Sequence, residues 1–313
     1  MPIERVSTTL AAVALLGLSA LQAKAALVCT AEMQPLVLGQ VSVRDGYSSP
    51  TFGSALLSCS GGAAGATVQT CLQLGPGSGG AASSLSPRFL LGLDGAALSY
   101  QLTAQSAYSA GGHLLDRLEL PLVLDPSGAG QIRPAVYAEI TALGSQAQIG
   151  TYLSSFAGAG DLGFSYGESS CSQSGDVNSF TVSANVTASC SVDVTPMDFG
   201  TVNSATAGPL DSTARISITC TNASAYSVGL DFGTHATDTS DGGRQMANGS
   251  ATAHYGLYHD RGRTDGWGLA AASVLHSNGT GSKQLIDIHG RVFGGQALVL
   301  GLYSDTVVVV ITY

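Results

Sequence analysis

Charged residues, aromatic residues and helical periodicity are all scarce in this sequence. Only 11% of the residues are charged and 6% are aromatic, with a single Trp. The 12 basic residues are outnumbered by 21 acidic ones, for a formal net charge of -9. This balance argues against nucleic acid as a partner. Hydrophobic residues nevertheless make up 44% of the chain, which is enough for packed cores and argues against disorder.

Long apolar runs are missing except near the N-terminus. Arg5 precedes an apolar run from Leu10 to about Ala20, followed by Ala23-Lys-Ala25, which is the pattern of a secretory signal peptide. We expect residues 1–25 to be removed, so that the mature chain starts at Ala26. No later run reaches the ~18 apolar residues of a membrane span. The protein is therefore expected to be exported and to stay out of the bilayer.

Motifs of enzymes and metal sites are also absent from the sequence. It contains no GxSxG, HExxH or Walker pattern and no CxxC pair that would indicate zinc. His254 and His259 would point to opposite faces of a strand. Asp238-Thr-Ser-Asp241 begins a weak calcium-loop pattern without the later ligands, and we expect a turn there. The sequence thus predicts a protein that is not an enzyme and has no cofactor or metal.

The sequence does contain one long internal repeat. Residues 29–59 and 190–220 both begin and end with Cys, and in both copies a Pro lies six positions and a Gly ten positions after the first Cys. The matching pairs are Pro35 with Pro196, Gly39 with Gly200, Arg88 with Arg244, Tyr100 with Tyr255 and Tyr152 with Tyr303. A repeat fixes the number of structural units. We expect a head domain at 26–168 and a second domain at 169–313.

Six cysteines in an exported chain favour disulfides. Equal spacing in equal contexts predicts the bridges Cys29–Cys59 and Cys190–Cys220, which leaves Cys71 to pair with Cys171. The main competing arrangement joins Cys59 to Cys71.

Alternation of apolar and polar residues is the dominant pattern of the mature sequence, and it predicts strands. The longest example places Phe180, Val182, Ala184, Val186, Ala188 and Cys190 on one face. Short strands separated by glycine-rich turns predict an all-β protein made of two antiparallel sandwiches. The first domain should end on Leu162–Tyr166 and the second on Thr306–Tyr313, whose apolar residues on both faces predict a strand covered on both sides.

The second repeat resembles the spore coat protein U domain family, which includes the pilin subunits of archaic chaperone-usher pili. The residues that carry the resemblance are the run FTVSANVTASC from Phe180, Phe199-Gly200, Cys220, Arg244-Gln-Met246, Tyr255-Gly-Leu-Tyr258, Asp260, Trp267-Gly268 and Gly301-Leu-Tyr-Ser-Asp-Thr306. The first repeat is similar more loosely, because it lacks the Trp-Gly pair and the terminal Ser-Asp-Thr. The resemblance also implies structural roles for Arg244, Tyr255 and Trp267.

The resemblance implies an immunoglobulin-like sandwich that lacks its last strand. In such pilins a periplasmic chaperone fills the gap first, and an N-terminal donor strand of the next subunit replaces it at the outer-membrane usher. We expect the edge of the gap to be formed by Thr306, Val307, Val308, Val309, Val310, Ile311 and Tyr313.

Position in the fibre is predicted from the residues that precede Cys29. Ala26–Val28 span only ~10 Å, too short for a donor strand, so the chain should sit at the pilus tip on the cell surface. Its head would then attach cells to surfaces and promote biofilms, with Tyr47, Phe52 and Tyr108 as candidate contacts. The alternative is a secreted structural coat or fibre-shaft subunit without an adhesive role.

The segment between the domains allows two interpretations. Twenty-three residues separate Tyr166 from Cys190, more than one linker needs. Part of this segment could complete the head while the rest joins the second domain. Alternatively, Phe180–Ala188 is only the first strand of the second domain.

Overall fold

The computed structural model describes residues 26–42, 51–104, 116–143, 146–201, 208–239 and 243–313. These residues form 22 strands and one short 3-10 turn, Ser83–Leu85, and no helix among them is long and apolar enough to cross a membrane. The described part of the chain is therefore all-β, as predicted.

The first fourteen strands form one sandwich. They are β1 (Val28–Met33), β2 (Leu36–Val41), β3 (Thr51–Ser60), β4 (Thr67–Leu74), β5 (Arg88–Leu91), β6 (Ala97–Thr103), β7 (Arg117–Val123), β8 (Gly130–Ile132), β9 (Ala135–Leu143), β10 (Gly150–Phe156), β11 (Leu162–Gly167), β12 (Gln173–Ser174), β13 (Asp176–Val177) and β14 (Phe180–Val186). One sheet has the order β13-β1-β3-β9-β6-β5-β10-β14-β2, with β8 also paired to β3, and the other has the order β12-β11-β4-β7. Their inner faces share one continuous apolar core.

The remaining strands form a second, smaller sandwich with its own core. They are β15 (Cys190–Val194), β16 (Leu210–Cys220), β17 (Ala225–Leu230), β18 (Arg244–Asn248), β19 (Ala251–Tyr258), β20 (Leu275–Asn278), β21 (Gln284–Val292) and β22 (Val309–Thr312). The sheet orders are β15-β16-β21-β19-β18 and β20-β17-β22.

The predicted disulfides are present in both sandwiches. Cys29–Cys59 joins β1 to β3 and Cys190–Cys220 joins β15 to β16, each with a Cα–Cα distance of 4.1 Å. Cys71–Cys171 ties β4 to the segment that follows β11. The pairing inferred from the repeat is confirmed, and the Cys59–Cys71 alternative is wrong.

The repeat is also visible in backbone conformation. Gly39 and Gly200 have φ of 75° and 78°, and Gly150 and Gly301 have φ of 145° and 147°. A positive φ is costly for residues with a side chain, so the same glycine positions are required in both domains.

Two expectations need correction. The C-terminal strand is not covered on both faces: β22 alternates half-buried and exposed residues, because one face packs on the core and the other faces solvent. The division at residue 168 placed Gln173–Val186 in the second domain, whereas β12, β13 and β14 pair with β11, β1 and β10 of the first. The inward apolar side chains of β14 are buried in the first core, and this burial determines where the segment packs.

Candidate strand-binding groove

Strand β14 fills a gap in the first domain. It pairs antiparallel with β10 from Phe156↔Phe180 to Gly150↔Val186 and parallel with β2, beginning at Val182↔Leu36. The preceding β12 and β13 continue along β11 and β1. Residues 173–186 therefore run between the first strands of the domain, β1 and β2, and its last, β10 and β11.

The inward side chains of β14 complete the first core. Phe180, Val182, Ala184 and Val186 are at most 3% exposed, and between them the polar residues point outward. Just before this strand, the amide of Asn178 bonds both backbone groups of Met33, accepting from its N–H at 2.7 Å and donating to its C=O at 3.0 Å. The hypothesis that the head is completed within the chain is confirmed, and the alternative, in which the segment serves only the second domain, is wrong.

The corresponding gap in the second domain is empty of any described strand. Its first strand region is β15 with residues 196–201, and its last is residues 301–313, which include β22. Between them lies a groove of about 560 Å³. The groove is lined by Val194, Thr195, Pro196, Met197, Phe199, Ala214, Leu230, Met246, Tyr255, Leu257, Ile288, Tyr303, Ser304, Asp305, Thr306, Val307 and Val309.

Equivalent side chains on the two domains show the effect of the missing strand. Val192 and Val194 are 39% and 44% exposed, whereas their counterparts Ala31 and Met33 are 5% and 2% exposed. At the other edge, Tyr313 is 51% exposed and its counterpart Tyr166 is 6% exposed. The same positions are thus covered in one domain and open in the other.

The predicted edge residues lie on the C-terminal side of this gap. Thr306, Val307 and Val309 line the groove itself. Val308, Val310, Ile311 and Tyr313 lie beside it, and Val310 and Ile311 pair with β17 through the backbone. The opposite edge of the gap, which is not among the predicted residues, is formed by Val192, Val194, Met197 and Phe199. The signal was present, because the first repeat carries apolar residues at those same four positions: Ala31, Met33, Leu36 and Leu38.

A buried carboxylate lies in the wall of the groove. The Tyr255 hydroxyl donates to Asp305 Oδ2 at 2.7 Å, and Asp305 Oδ1 accepts from the Thr234 N–H and hydroxyl and contacts His235 Nδ1. Desolvation opposes ionisation of Asp305, but these hydrogen bonds outweigh it and the pKa of Asp305 is lowered. Burial and the hydrogen bond to Asp305 raise the pKa of Tyr255. The groove therefore keeps a negative charge at Asp305. The equivalent residue of the first domain is Ser154, which is neutral.

Arg244 holds the floor of the groove in place. Its guanidinium is buried and donates to the carbonyls of Leu230, Asp231 and Trp267 at 2.7–3.0 Å. Arg88 makes the matching bonds to Leu74 and Gly75 in the first domain. Tyr255 and Trp267 are buried in the second core. These are the structural roles that the resemblance implied.

The predicted contact residues of the head are only partly described. Tyr47 and Tyr108 lie outside the described residues. Phe52 is 71% exposed and lies in strand β3, with its ring 5.8 Å from that of Tyr137.

His254 and His259 have separate partners and do not face a common site. His254 bonds Gln245, whereas His259 stacks on Trp267. No cluster of three potential metal ligands occurs within the described ranges.

Comparisons with known proteins agree with this architecture. The Spore Coat Protein U domain model matches residues 176–310. Protein U of Myxococcus xanthus is 33% identical over 144 residues, which are 42% of this chain and 80% of that protein. A chain in the crystal structure of the CsuC–CsuE chaperone–tip adhesion subunit pre-assembly complex, from archaic chaperone-usher Csu pili of Acinetobacter baumannii, has the same fold. It has a TM-score of 0.56 and 16% identity, and the match covers 92% of this chain and 100% of that one. On the match to Protein U, the chain belongs to the spore coat protein U domain family.

Proposed function

We propose that the chain is a subunit of a chaperone-usher surface fibre and that its second domain binds an extended segment of a neighbouring subunit. One observation carries the proposal: the open groove corresponds to the space that β14 fills in the first domain. An exposed sheet edge beside apolar side chains is a template for strand addition. A β-strand is therefore the occupant whose shape and hydrogen bonding fit the groove.

The first domain supplies the expected geometry of that strand. It would run parallel to residues 196–201 and antiparallel to residues 301–307, as β14 does with β2 and β10. Apolar side chains at alternate positions would face the core, and polar ones would face solvent. During export a periplasmic chaperone would cover the same apolar surface, which would otherwise promote aggregation, and the outer-membrane usher would exchange it for the subunit strand.

We place the chain at the fibre tip, with its first domain as an adhesive head that attaches cells to surfaces and promotes biofilms. The gap of the first domain is filled from within the chain, so the head needs no neighbouring subunit for its own completion. Its outer faces are then free to contact a surface, and Phe52, Tyr47 and Tyr108 are the proposed contacts.

A peptide titration on the full mature chain tests the groove. The probe is a synthetic peptide that copies residues 173–186, and Trp267, the single Trp of the chain, reports on the second domain by fluorescence. Binding should raise the thermal midpoint of the Trp267 transition, and the rise should grow with the logarithm of peptide concentration above the Kd. A matched peptide with Asp in place of Val182 should have no effect, because a carboxylate would have to enter the apolar groove. If the two peptides behaved alike, strand binding in the groove would be refuted.

A further inference from the structure

The second domain carries an exposed apolar loop next to the groove. We call residues 297–302 the junction loop. Within it Val299, Leu300 and Leu302 are 57%, 93% and 84% exposed, and Leu298 is 37% exposed. Four neighbouring apolar residues with this much exposure are typical of an interaction surface.

The first domain has the same loop at residues 146–151. Gly150 and Gly301 share an unusual φ near 146° (145° and 147°). The Tyr152 hydroxyl bonds both backbone groups of Gln148, at 2.8 and 3.0 Å. The Tyr303 hydroxyl bonds Val299 in the same way, at 3.0 and 3.2 Å. The two loops therefore have equivalent local conformations.

In the first domain this loop is a docking site for the second domain. The backbone of Gln148 forms a parallel bridge with Asn222, and the Asn222 side-chain amide donates to the carbonyl of Gln146 at 3.1 Å. Asn222 lies in the turn immediately after Cys220. The domain whose preceding strand fills the gap thus also touches the loop, through the turn after its second repeated cysteine.

The connection between strand and docked domain is short and hydrogen-bonded on both sides. Only residues 187–189 separate β14 from Cys190. Thr187 donates its N–H to Val41 of the first domain at 3.1 Å and accepts from the Thr221 hydroxyl of the second at 3.1 Å. A strand that fills the gap therefore brings the domain that follows it against the loop.

From this internal template, and resting on the proposed function, we propose that the junction loop is a second contact for the subunit whose strand enters the groove. The surface it meets is the turn after that subunit's second repeated cysteine. The two loops would meet different kinds of partner, one in the same chain and one in a separate chain, and their sequences differ accordingly. The loop of the first domain has polar residues at Gln146, Gln148 and Thr151. Its docked domain is part of the same chain, so the effective concentration is high and little apolar burial is needed to hold the contact. The junction loop has apolar residues at the same three positions, Ala297, Val299 and Leu302. They fit a contact with a separate chain, which must be driven by apolar burial.

Site-specific photo-crosslinking in fibres assembled by cells tests the proposal. p-Benzoylphenylalanine replaces Leu300 in one full-length variant, Tyr313 at the groove edge in a second, and exposed Leu285 on β21 in a third. Tandem mass spectrometry then identifies the linked peptides. We expect position 300 to link to the turn after the second repeated cysteine of the neighbouring subunit. Position 313 should link to the donated strand of that same subunit, and position 285 should link to neither segment.

The outcomes separate the two proposals. A link from position 313 without a link from position 300 to the same subunit would overturn the junction-loop contact and leave groove binding intact. A link from position 300 to the chaperone alone would also overturn it. The absence of any strand link from position 313 would reject the proposed function instead.

A kinetic measurement tests the contact independently. The Leu300→Ser/Leu302→Ser variant should release the neighbouring subunit in mild denaturant about tenfold faster than wild type, since two large apolar contacts are lost. Leu285→Ser is the matched control and should leave the rate unchanged. Equal rates for all three proteins would contradict the proposal.

Discussion

The ring of Phe180 stacks on the ring of Phe156, with centroids 4.7 Å apart and an interplanar angle of 11°. Phe156 lies on β10 and Phe180 on β14, so this contact joins the domain's last strand region to the strand that closes its gap. In the second domain the residue equivalent to Phe156 is Val307, which lines the open groove. One aromatic pair thus marks the difference between a sandwich closed within the chain and one left open.

Phe180→Ala should destabilise the first domain alone. The side chain is 3% exposed, and truncation of a buried Phe lowers the free energy of unfolding by about 3–5 kcal/mol. Urea denaturation followed by circular dichroism should show an earlier first-domain transition, while the Trp267 fluorescence transition stays in place. Phe52→Ala is the control, because a ring that is 71% exposed contributes little. A shift of the Trp267 transition instead would mean that β14 stabilises the second domain.

Removing a disulfide should also act on one domain at a time. Cys71→Ala/Cys171→Ala opens a link across a sequence separation of 100 residues and should lower the stability of the first domain by about 2–5 kcal/mol. The matched variant Cys190→Ala/Cys220→Ala should instead lower the Trp267 transition. Calorimetry of the two variants measures both effects. Equal effects of one variant on both transitions would show that the domains unfold as a single unit.

The stability of the second domain should depend on acid pH through Asp305. Its pKa is lower in the folded protein than its usual 3.8, so its contribution is present above that value and is lost as pH falls through the folded pKa. The Trp267 melting temperature of wild type should therefore drop below about pH 4. Asp305→Asn should melt lower at pH 7 and show a weaker drop in acid.

Asp94→Asn is the control for this pH series, since Asp94 lies in a surface turn of the first domain, where its carboxylate accepts from the backbone N–H of Ala96. Superimposable pH profiles of wild type and Asp305→Asn would contradict the role of this carboxylate. Tyr255→Phe should lower the neutral-pH melting temperature as well, because it removes the 2.7 Å hydrogen bond.

Much of the fold could be predicted because the sequence contains an internal repeat, so that each domain supports the interpretation of the other. The alternation of Val182 with its neighbours predicts a strand, and the equal spacing of Cys29–Cys59 and Cys190–Cys220 predicts two bridges and, by elimination, a third. The partner of β14 could not be predicted, because apolar residues at alternate positions fit either sandwich equally well. Pairing is decided by core contacts such as Phe180 on Phe156, which are remote in sequence.

The groove was predicted on one side only. The run from Thr306 to Tyr313 is conspicuously apolar, whereas Val192 and Val194 alternate with polar residues and look like any half-buried strand. Their exposure follows from the absence of a neighbouring strand, and local sequence does not encode such an absence. The Tyr255–Asp305 contact also joins two residues that lie 50 positions apart in sequence, so it depends on the tertiary fold.

Attachment by the head can be tested on its three candidate contact residues. Replacing Phe52, Tyr47 and Tyr108 together with Ala should leave export and fibre assembly intact but reduce the number of cells attached to an apolar surface several-fold. The reason is that an exposed ring such as that of Phe52, which lies beside Tyr137, buries apolar area against such a surface. Attachment is counted after washing, and fibre amounts are compared by immunoblot so that a loss of fibres is not mistaken for a loss of adhesion.

The control for attachment is Leu93→Ala, in the turn that joins β5 and β6. This side chain is fully exposed at 108%, so it tests whether any exposed apolar residue of the head contributes equally. Equal attachment by wild type and the triple variant would remove the adhesive role from these residues.

Immunogold labelling tests the position of the subunit in the fibre. Label confined to fibre ends supports a tip subunit, whereas label along the fibre would favour the shaft or coat alternative. In that case the open groove would still bind a neighbouring strand, and the head would be a structural domain of the fibre.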